Sequence, residues 1–213
     1  MELGDRDAPV PGRPLTRRGA AARDRIVDAA ANLMFAHGVA RTSLDDVRAA
    51  TATSKSQLYH YFRDKDDLVR AVIARQTERV LDAQMPGLEA VDSFDGLARW
   101  RDGIVALQRE RDCLGGCPIG SLASELSDND EVARIDLVGA FARWQSYLEA
   151  GLAAMHRRGD LRADADPAEL ATAVMTALQG GLLLTQAERS TRPLEIALDM
   201  ALAHVRTHAA ARA

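Results

Sequence analysis

Hydrophobic residues recur every three to four positions through most of the chain, beginning shortly after residue 20. In the first such segment Ile26, Ala30, Leu33 and Met34 fall on one face, and Gly38 follows as a typical C-terminal cap. No segment alternates apolar and polar residues in the way that a half-buried strand does. The pattern therefore predicts an all-α protein with about nine helices and no internal repeat.

Two short helices are predicted after Gly38. Thr42 or Ser43 caps the first of them, and Ser54 begins the second, where Gln57 three positions later completes a capping-box pattern. Two helices of this length, joined by a tight turn, are typical of a helix-turn-helix.

Longer helices are predicted in the rest of the chain. The segments are Asp64 to about Met85, Phe94 to about Arg111, Ser121–Leu126, Asp130 to Gly159, Pro167 to about Arg189, and Pro193 to about Thr207. The helix that Asp130 opens is expected to bury Ile135, Val138 and Trp144 on a single apolar face.

The first 18 residues differ from everything that follows. They contain three prolines and no periodic apolar face, and their end is basic at Arg13, Arg17 and Arg18. We therefore expect a disordered arm. The arm is either a solvated tail or a segment that follows DNA phosphates or enters a minor groove.

Composition and charge narrow the classes of function. The formal net charge is −4, which excludes a uniformly basic nucleic-acid coat, so that DNA binding requires a local basic patch. Neither a secretory signal nor a run long enough to span a bilayer is expected. Two cysteines, Cys113 and Cys117, cannot form a disulfide framework. The sequence thus predicts a cytoplasmic protein without a membrane partner.

The polar start of the second short helix points to DNA. A recognition helix presents polar side chains where it enters the major groove, and glutamine and lysine can bond adenine and guanine edges there. We expect Lys65, near the start of the next helix, to meet a phosphate. The predicted contacts to double-stranded DNA are Thr42, Ser43, Thr53, Ser54, Lys55, Ser56, Gln57, Tyr59, His60, Tyr61 and Lys65. A small aromatic core in an unrelated bundle is the alternative, and it leaves the polar helix start unexplained.

These residues resemble a known family. The run from Ser54 to Phe62, followed by Lys65 and Leu68, is similar to the signature of the TetR family of bacterial transcriptional regulators. Phe35 and Phe62 resemble the family's core residues that tie three helices together. The resemblance covers about residues 21–70. It implies a helix-turn-helix DNA-binding domain at 19–66, after the arm at 1–18, and a ligand-binding and dimerisation domain at 67–213.

The turn between the two short helices departs from the family pattern. Ala52 stands where the family usually has glycine, and Arg48 where it usually has a small residue. A non-glycine residue in a left-handed turn costs about 1 kcal/mol.

The second half has a weaker resemblance. The segment from Gly116 to Leu126 is similar to one in the LmrA/YxaF-like branch. That resemblance implies a ligand-responsive regulator, most often a repressor, that binds a palindromic operator as a homodimer and is released by a small, lipophilic effector. A helical-bundle carrier or enzyme without DNA binding is the alternative, although no catalytic constellation supports it.

Two further sets of residues follow from this interpretation. The expected walls of the effector pocket are Trp100, Ile104, Cys117, Phe141, Trp144, Tyr147, Met175 and Gln179. The expected dimer interface on the last two helices is Ala177, Leu178, Gly181, Leu182, Ala197, Leu198, Ala201 and Leu202. For both sets the competing interpretation is a core packed within one protomer.

Two pairs of residues have spacings found in metal or redox sites. Cys113 and Cys117 are four positions apart, and so are His204 and His208 on the last helix. A zinc site needs further ligands, and a histidine near a helix C-terminus also suits the helix dipole. We therefore expect no metal, no cofactor and no catalytic residue, and a redox role for the cysteines is left open.

Overall fold

The computed structural model describes residues 15–211. These residues form nine α-helices, one 3-10 turn and no strand apart from an isolated bridge between Leu161 and Ala209. The helices are α1 (Arg17–His37), α2 (Leu44–Thr51), α3 (Lys55–Tyr61), α4 (Lys65–Asp82), α5 (Phe94–Glu110), α6 (Pro118–Leu126), α7 (Glu131–Arg158), α8 (Pro167–Glu188) and α9 (Arg192–Thr207), and the 3-10 turn is Leu88–Ala90. The predicted all-α fold is confirmed.

The N-terminal boundary of the first helix differs from the prediction. Thr16 Oγ1 accepts a hydrogen bond from the Gly19 N–H at 3.1 Å and so caps α1. Arg17 and Arg18 therefore lie in the first turn of a helix, and their assignment to a disordered arm is wrong. The rest of the predicted arm, with Arg13, lies outside the described residues.

The chain packs as two compact units that divide within α4, between Arg75 and Gln76. The division comes later than the boundary predicted at 66/67, because the first turns of α4 bury Leu68 and Val72 in unit 1. Arg75 also belongs there, since its guanidinium pairs with Asp24 at 2.8 Å and with Asp28 at 3.1 Å.

The core of unit 1 joins its helices through apolar side chains. Ile26, Val47, Leu58 and Phe62 are each at most 2% exposed. Phe35, in contrast, is 41% exposed, so its expected place in this core is wrong. Of the two phenylalanines that resemble family core residues, only Phe62 has that role.

The tight turn between α2 and α3 is fixed at both sides by capping. Ser43 caps α2: its Oγ accepts the Asp46 N–H at 3.1 Å, and its own N–H donates to the Asp46 carboxylate at 2.8 Å. Ser54 Oγ accepts the Gln57 N–H at 3.1 Å, which is one half of the predicted capping box. Between them Ala52 adopts φ 52° and ψ 33°, the left-handed conformation that the turn requires.

Replacing Ala52 with glycine is expected to raise the free energy of unfolding by about 1 kcal/mol, because glycine adopts this conformation without a Cβ clash. Urea denaturation measures the change. Ala50→Gly is the matched control, since Ala50 is an exposed position within α2 where glycine costs about 0.5–1 kcal/mol. Equal destabilisation by both substitutions would contradict the left-handed turn.

Helix ends in unit 2 mostly follow the predicted caps. Asp130 Oδ1 accepts the Ala133 N–H at 2.9 Å at the start of α7, and Gly159, with φ 79°, ends that helix. The short helix α6 begins earlier than predicted, at Pro118. The reason is that Cys117 serves as its N-cap, with Sγ accepting the Gly120 N–H at 3.3 Å.

A buried glutamine holds the two tryptophans of unit 2. The indole N–H groups of Trp100 in α5 and Trp144 in α7 both donate to Gln84 Oε1, at 3.2 and 3.1 Å. Gln84 Nε2 in turn donates to the Val80 carbonyl at 3.1 Å. Because all three side chains are buried, these bonds satisfy polar groups that would otherwise destabilise the core.

The longest helix buries a different face from the one predicted. Ile135 and Val138 are each 56% exposed, so their assignment to the core is wrong, whereas Trp144 is 1% exposed as expected. The buried side of α7 instead runs through Leu137, Ala140 and residues spaced from them by three to four positions. Since α7 carries apolar residues on two sides, the periodicity alone did not distinguish them.

Most of the predicted dimer contacts on α8 and α9 are also buried within the protomer. Leu178, Gly181, Leu182, Leu198, Ala201 and Leu202 are buried, and their assignment to a dimer interface is wrong. Among the described helices, α8 and α9 pack against each other most extensively. The position that a Cβ would take at Gly181 is 3.0 Å from the Leu194 backbone, which shows how closely the helices approach. Ala177 and Ala197 are half-buried and stay predictions.

The outer side of these two helices is apolar and exposed. We call it the α8–α9 face; its large side chains, each more than half exposed, are Leu183, Leu184, Ile196 and Met200. By length and composition α8 could also cross a membrane, contrary to the expectation that no such run exists. Core helices of soluble proteins pass the same test, and one side of α8 packs against α7 and α9.

Candidate nucleic-acid interface

Helix α3 exposes one polar side and anchors the other in unit 1. Leu58 is fully buried, whereas Lys55, Ser56, Gln57 and Tyr59 are exposed. The helix therefore projects a row of hydrogen-bonding side chains from a fixed base, which is the arrangement that base reading in a major groove requires.

Aromatic rings stiffen the outer side of α3. The Lys55 ammonium lies 5.9 Å from the Tyr59 ring centroid, and His60 packs edge-on against Tyr61 with 5.0 Å between centroids. Tyr59 is 44% exposed. The exposed side chains of Tyr59 and His60 have polar atoms that can hydrogen-bond to a phosphate or a base edge.

An open groove of about 500 Å³ runs between α1 and α3. Its lining includes Arg18 and Arg25 from α1, and Gln57 and Tyr61 from α3. The sequence interpretation missed Arg25, although the seven-residue spacing from Arg18 places both on one face of a helix. Two exposed guanidinium groups beside the polar face of α3 suit the phosphates that flank a base contact.

Charge is divided unevenly between the units. Residues 15–75 hold eleven Lys and Arg against seven Asp and Glu, a formal charge of +4, whereas residues 76–213 hold fourteen against twenty-one, or −7. DNA binding requires a local excess of positive charge, and unit 1 has that excess whereas unit 2 is acidic.

Several predicted contact residues have a structural role. Thr42 is 2% exposed and donates its hydroxyl to the Gly38 carbonyl at 2.8 Å, and Thr53 is 5% exposed. Their assignment to DNA contacts is wrong, because buried side chains cannot reach a groove. Lys65 Nζ donates to the Val39 carbonyl at 2.6 Å and ties the start of α4 to the α1–α2 loop. An ammonium has two more donors, so a phosphate contact by Lys65 stays a prediction.

The remaining predicted DNA contacts are brought together on the surface of unit 1. Ser43, Ser54, Lys55, Ser56, Gln57, Tyr59 and His60 are exposed, and Tyr61 is half-buried. Ser43 and Ser54 use part of their hydrogen-bonding capacity as helix caps. Contact of Lys55, Ser56 and Gln57 with base edges stays a prediction.

The predicted effector pocket falls on residues of unit 2. Trp100, Ile104, Cys117, Trp144 and Met175 are buried, and Phe141, Tyr147 and Gln179 are half-buried. Burial also raises the pKa of the Cys117 thiol, and hydrogen bonds from the Gly120 and Ile119 N–H groups only partly oppose this effect. The thiol therefore stays neutral at physiological pH.

Neither spaced pair forms a recognisable metal site. Both Cys113 and Cys117 are free thiols in buried positions. His204 and His208 pack edge-on with ring centroids 5.1 Å apart. Within residues 15–211 no group of three or more His, Cys, Asp or Glu side chains is placed to hold a metal ion.

Comparison with protein families assigns both halves of the chain. Residues 26–72 match the family described as bacterial regulatory proteins of the tetR family, and residues 95–201 match the tetracyclin repressor-like C-terminal domain. The first match contains the whole of α2 and α3. The second runs from α5 into α9 and covers half of the chain.

Relatives and solved structures agree with these matches. An uncharacterised HTH-type transcriptional regulator from the lacX 3′ region of Lactococcus lactis is 30% identical over 84% of this chain and 90% of its own. The HTH-type transcriptional regulator LmrA of Bacillus subtilis is 25% identical over 81% and 90%. A TetR transcriptional regulator from Chloroflexus aurantiacus superposes with a TM-score of 0.78 at 25% identity, over 91% of this chain and 98% of that one.

Proposed function

This chain belongs to the TetR family of bacterial transcriptional regulators, and from that premise we propose that it is a dimeric, effector-released repressor that reads a palindromic operator through α3. The observation that carries the proposal is the set of exposed polar side chains on α3, held by the buried Leu58 beside the two arginines that line the α1–α3 groove. We propose further that it acts in the cytoplasm.

We propose that a residue of α3 reads the base sequence and that a residue of α1 binds the phosphate backbone. Gln57 is exposed on α3 and has the donor and acceptor that bond adenine N7 and N6 together. Arg18 is exposed on α1 and presents a guanidinium that pairs with phosphate regardless of sequence.

Gln57→Ala is expected to reduce discrimination between the best operator and single-base variants by about 1–3 kcal/mol at one position in each half-site. Arg18→Ala is expected to weaken binding to all sequences alike, and to reduce the slope of log K against log salt by about 2, one for each protomer. Fluorescence anisotropy with labelled duplexes at several salt concentrations measures both. Equal effects of the two substitutions on every sequence would contradict the assignment.

Arg18 is a cleaner anchor variant than Lys65. Removing the Lys65 ammonium also removes its bond to the Val39 carbonyl, so loss of binding by Lys65→Ala would combine lost DNA contact with lost stability. Arg18 is exposed in the first turn of α1, where the change leaves the core of unit 1 intact.

Effector binding is proposed for unit 2. Its interior is rich in aliphatic and indole side chains, and two of its buried amide atoms, Gln108 Oε1 and Gln179 Nε2, have no hydrogen-bond partner among the described residues. Buried polar groups are normally bonded, so this acceptor and this donor are suited to polar groups on a small, largely apolar effector. α4 is continuous from unit 1 into unit 2, and we propose that it couples the two sites.

Dimerisation is proposed through the α8–α9 face. Leu183, Leu184, Ile196 and Met200 are large apolar side chains that the protomer leaves exposed, and burial against a two-fold related copy would remove them from water. The proposal replaces the interface predicted from the sequence with the opposite side of the same two helices.

A further inference from the structure

The interior of unit 2 holds no charged side chain. Among residues 76–211, no Asp, Glu, Lys, Arg or His is buried. Arg101, which is half-buried, pairs with the exposed carboxylates of Asp102 at 3.0 Å and Asp199 at 2.9 Å. Moving an ion from water into an apolar interior is costly unless a buried counter-ion pairs with it. A charged ligand that entered this interior would therefore meet no partner for its charge.

The buried polar groups of unit 2 are neutral, and two of them differ from the rest. Gln84 Oε1 accepts both indole N–H groups, and Thr185 Oγ1 accepts the Leu194 N–H at 3.2 Å. Gln108, in contrast, is 4% exposed, and its Oε1 has no partner among the described residues. The same holds for the buried Nε2 of Gln179, a half-buried residue of α8. Orphaned groups of this kind are uncommon in native proteins and suit a ligand that bonds them.

Both amides adjoin the short segment from Cys113 to Gly120, which leads from α5 into α6. At one end of it, the Cys113 N–H donates to the Gln108 carbonyl at 2.9 Å, and the Arg189 guanidinium at the end of α8 donates to the Cys113 carbonyl at 3.4 Å. At the other end, Gln179 Oε1 is 3.1 Å from the position that a Cβ would take at Gly120. The orphaned acceptor and the orphaned donor therefore belong to one part of unit 2, where this segment runs along α8.

The thiol in this segment adds no charge. Cys117 Sγ lies 3.7 Å from the same Cβ position at Gly120 that Gln179 Oε1 approaches. Burial raises the pKa of this thiol, so the sulfur does not become the thiolate that a cation would need. This part of unit 2 thus presents an acceptor, a donor and a neutral sulfur, and none of the three compensates the charge of an ion.

We propose that the effector of this regulator is a neutral, largely apolar molecule with a hydrogen-bond donor for Gln108 Oε1 and an acceptor for Gln179 Nε2. The inference rests on the effector-released function proposed above and names the chemical class of that effector. Hydroxyl and amide groups supply such donors and acceptors without a charge. Carboxylates, phosphates and ammonium ions do not fit, because the buried groups of unit 2 leave their charge unpaired.

Three aromatic probes of nearly the same size test the charge requirement on the full chain without DNA. At neutral pH benzamide is uncharged and carries a donor and an acceptor, benzoate is an anion, and benzamidine is a cation. Binding is followed by NMR from the side-chain amide signals of Gln108 and Gln179, which are assigned by their loss in Gln108→Met and Gln179→Met. We expect a dissociation constant of about 10 mM or below for benzamide, a modest affinity for a ligand of this size. The two ions are expected to bind at least tenfold more weakly.

Gln108→Met separates a binding role from a structural one. Methionine keeps an unbranched shape and removes an acceptor that has no partner, so the thermal midpoint without probe is expected to rise by about 2–4 °C. Benzamide binding, followed at the Gln179 signals, is expected to weaken at least tenfold. Gln145→Met is the control, because Gln145 of α7 donates to Thr172 Oγ1 at 3.0 Å and its loss should leave benzamide binding unchanged.

Benzoate or benzamidine that binds at these signals as tightly as benzamide would overturn the inference. So would benzamide binding that Gln108→Met leaves unchanged, a fall in the thermal midpoint of that variant, or the absence of benzamide binding at about 20 mM. The probes are titrated without DNA, so a failure of operator reading would leave these results unaffected. That failure would appear instead as the absence of a specific sequence in selection from random duplexes.

Discussion

Leu183→Glu is expected to abolish specific operator binding, with a loss of affinity of about a thousandfold or more. Leu183 is 66% exposed and contributes little to the protomer core, so the variant should fold. In a symmetric dimer, however, the change places two like charges in an apolar interface. A separated protomer carries one α3 and reads one half-site. It therefore loses the preference of about 10³-fold or more in affinity that a specific site has over non-specific DNA.

Anisotropy with an operator duplex, paired with sedimentation of the same samples, measures this effect. Ala106→Glu adds the same charge at an exposed helical position of α5 and is expected to bind like the wild type. Specific, two-site binding by a Leu183→Glu protein that sediments as a dimer would contradict the placement of the interface on the outer side of α8.

Gly96→Ala is expected to destabilise unit 2 by about 3 kcal/mol or more. Gly96 lies in the first turn of α5, where a Cβ would stand 1.8 Å from the carbonyl oxygen of Ala90. A backbone oxygen cannot move aside as a flexible side chain does, so the start of α5 or the turn before it must shift. Chemical denaturation of the two proteins measures the loss.

The same helix provides the control for this substitution. Gly103 is an interior position of α5 at which a Cβ meets nothing within 4 Å. Gly103→Ala is therefore expected to stabilise the protein by about 1 kcal/mol, because alanine is the better helix former. The same glycine-to-alanine change at two positions of one helix, seven residues apart, should thus have opposite effects on stability. Unchanged stability of Gly96→Ala would contradict the close approach of the Ala90 carbonyl to the start of α5.

Helix positions could be predicted from the sequence because capping chemistry is local. Gly38, Asp130 and Gly159 end or begin helices where their residue types indicate, and Ser54 starts α3 as expected. The start of α6 was missed because a cysteine acts as its N-cap, which is not among the residues that usually indicate a helix start.

Which apolar side of a helix is buried could not be predicted in the same way. In α7 both Leu137 and Val138 recur at helical spacing with other apolar residues, and only packing decides that Leu137 is buried and Val138 exposed. In α8 the sequence predicted Leu182 as a dimer contact, but Leu182 is buried and its neighbour Leu183 is exposed. Leu183 belongs to the α8–α9 face, on which the dimer proposal rests.

The candidate DNA site could be located from the sequence because the polar residues of α3 stand together in one short segment with a characteristic spacing. Thr42 and Lys65 show the limit of that approach. Each has the chemistry of a DNA contact, and each makes a hydrogen bond to a backbone carbonyl of the α1–α2 region instead. Sequence alone does not reveal the bond of Lys65, because it joins two residues that are 26 positions apart.

Selection of bound duplexes from a random library by the purified protein tests sequence-specific reading by a dimer most directly. The result expected is an enriched inverted repeat whose half-site centres are about one helical turn of DNA apart, ~34 Å, or a small multiple of it. Enrichment of a single half-site would contradict the dimer. No enrichment by protein that has been refolded free of any bound effector would contradict DNA reading by α3.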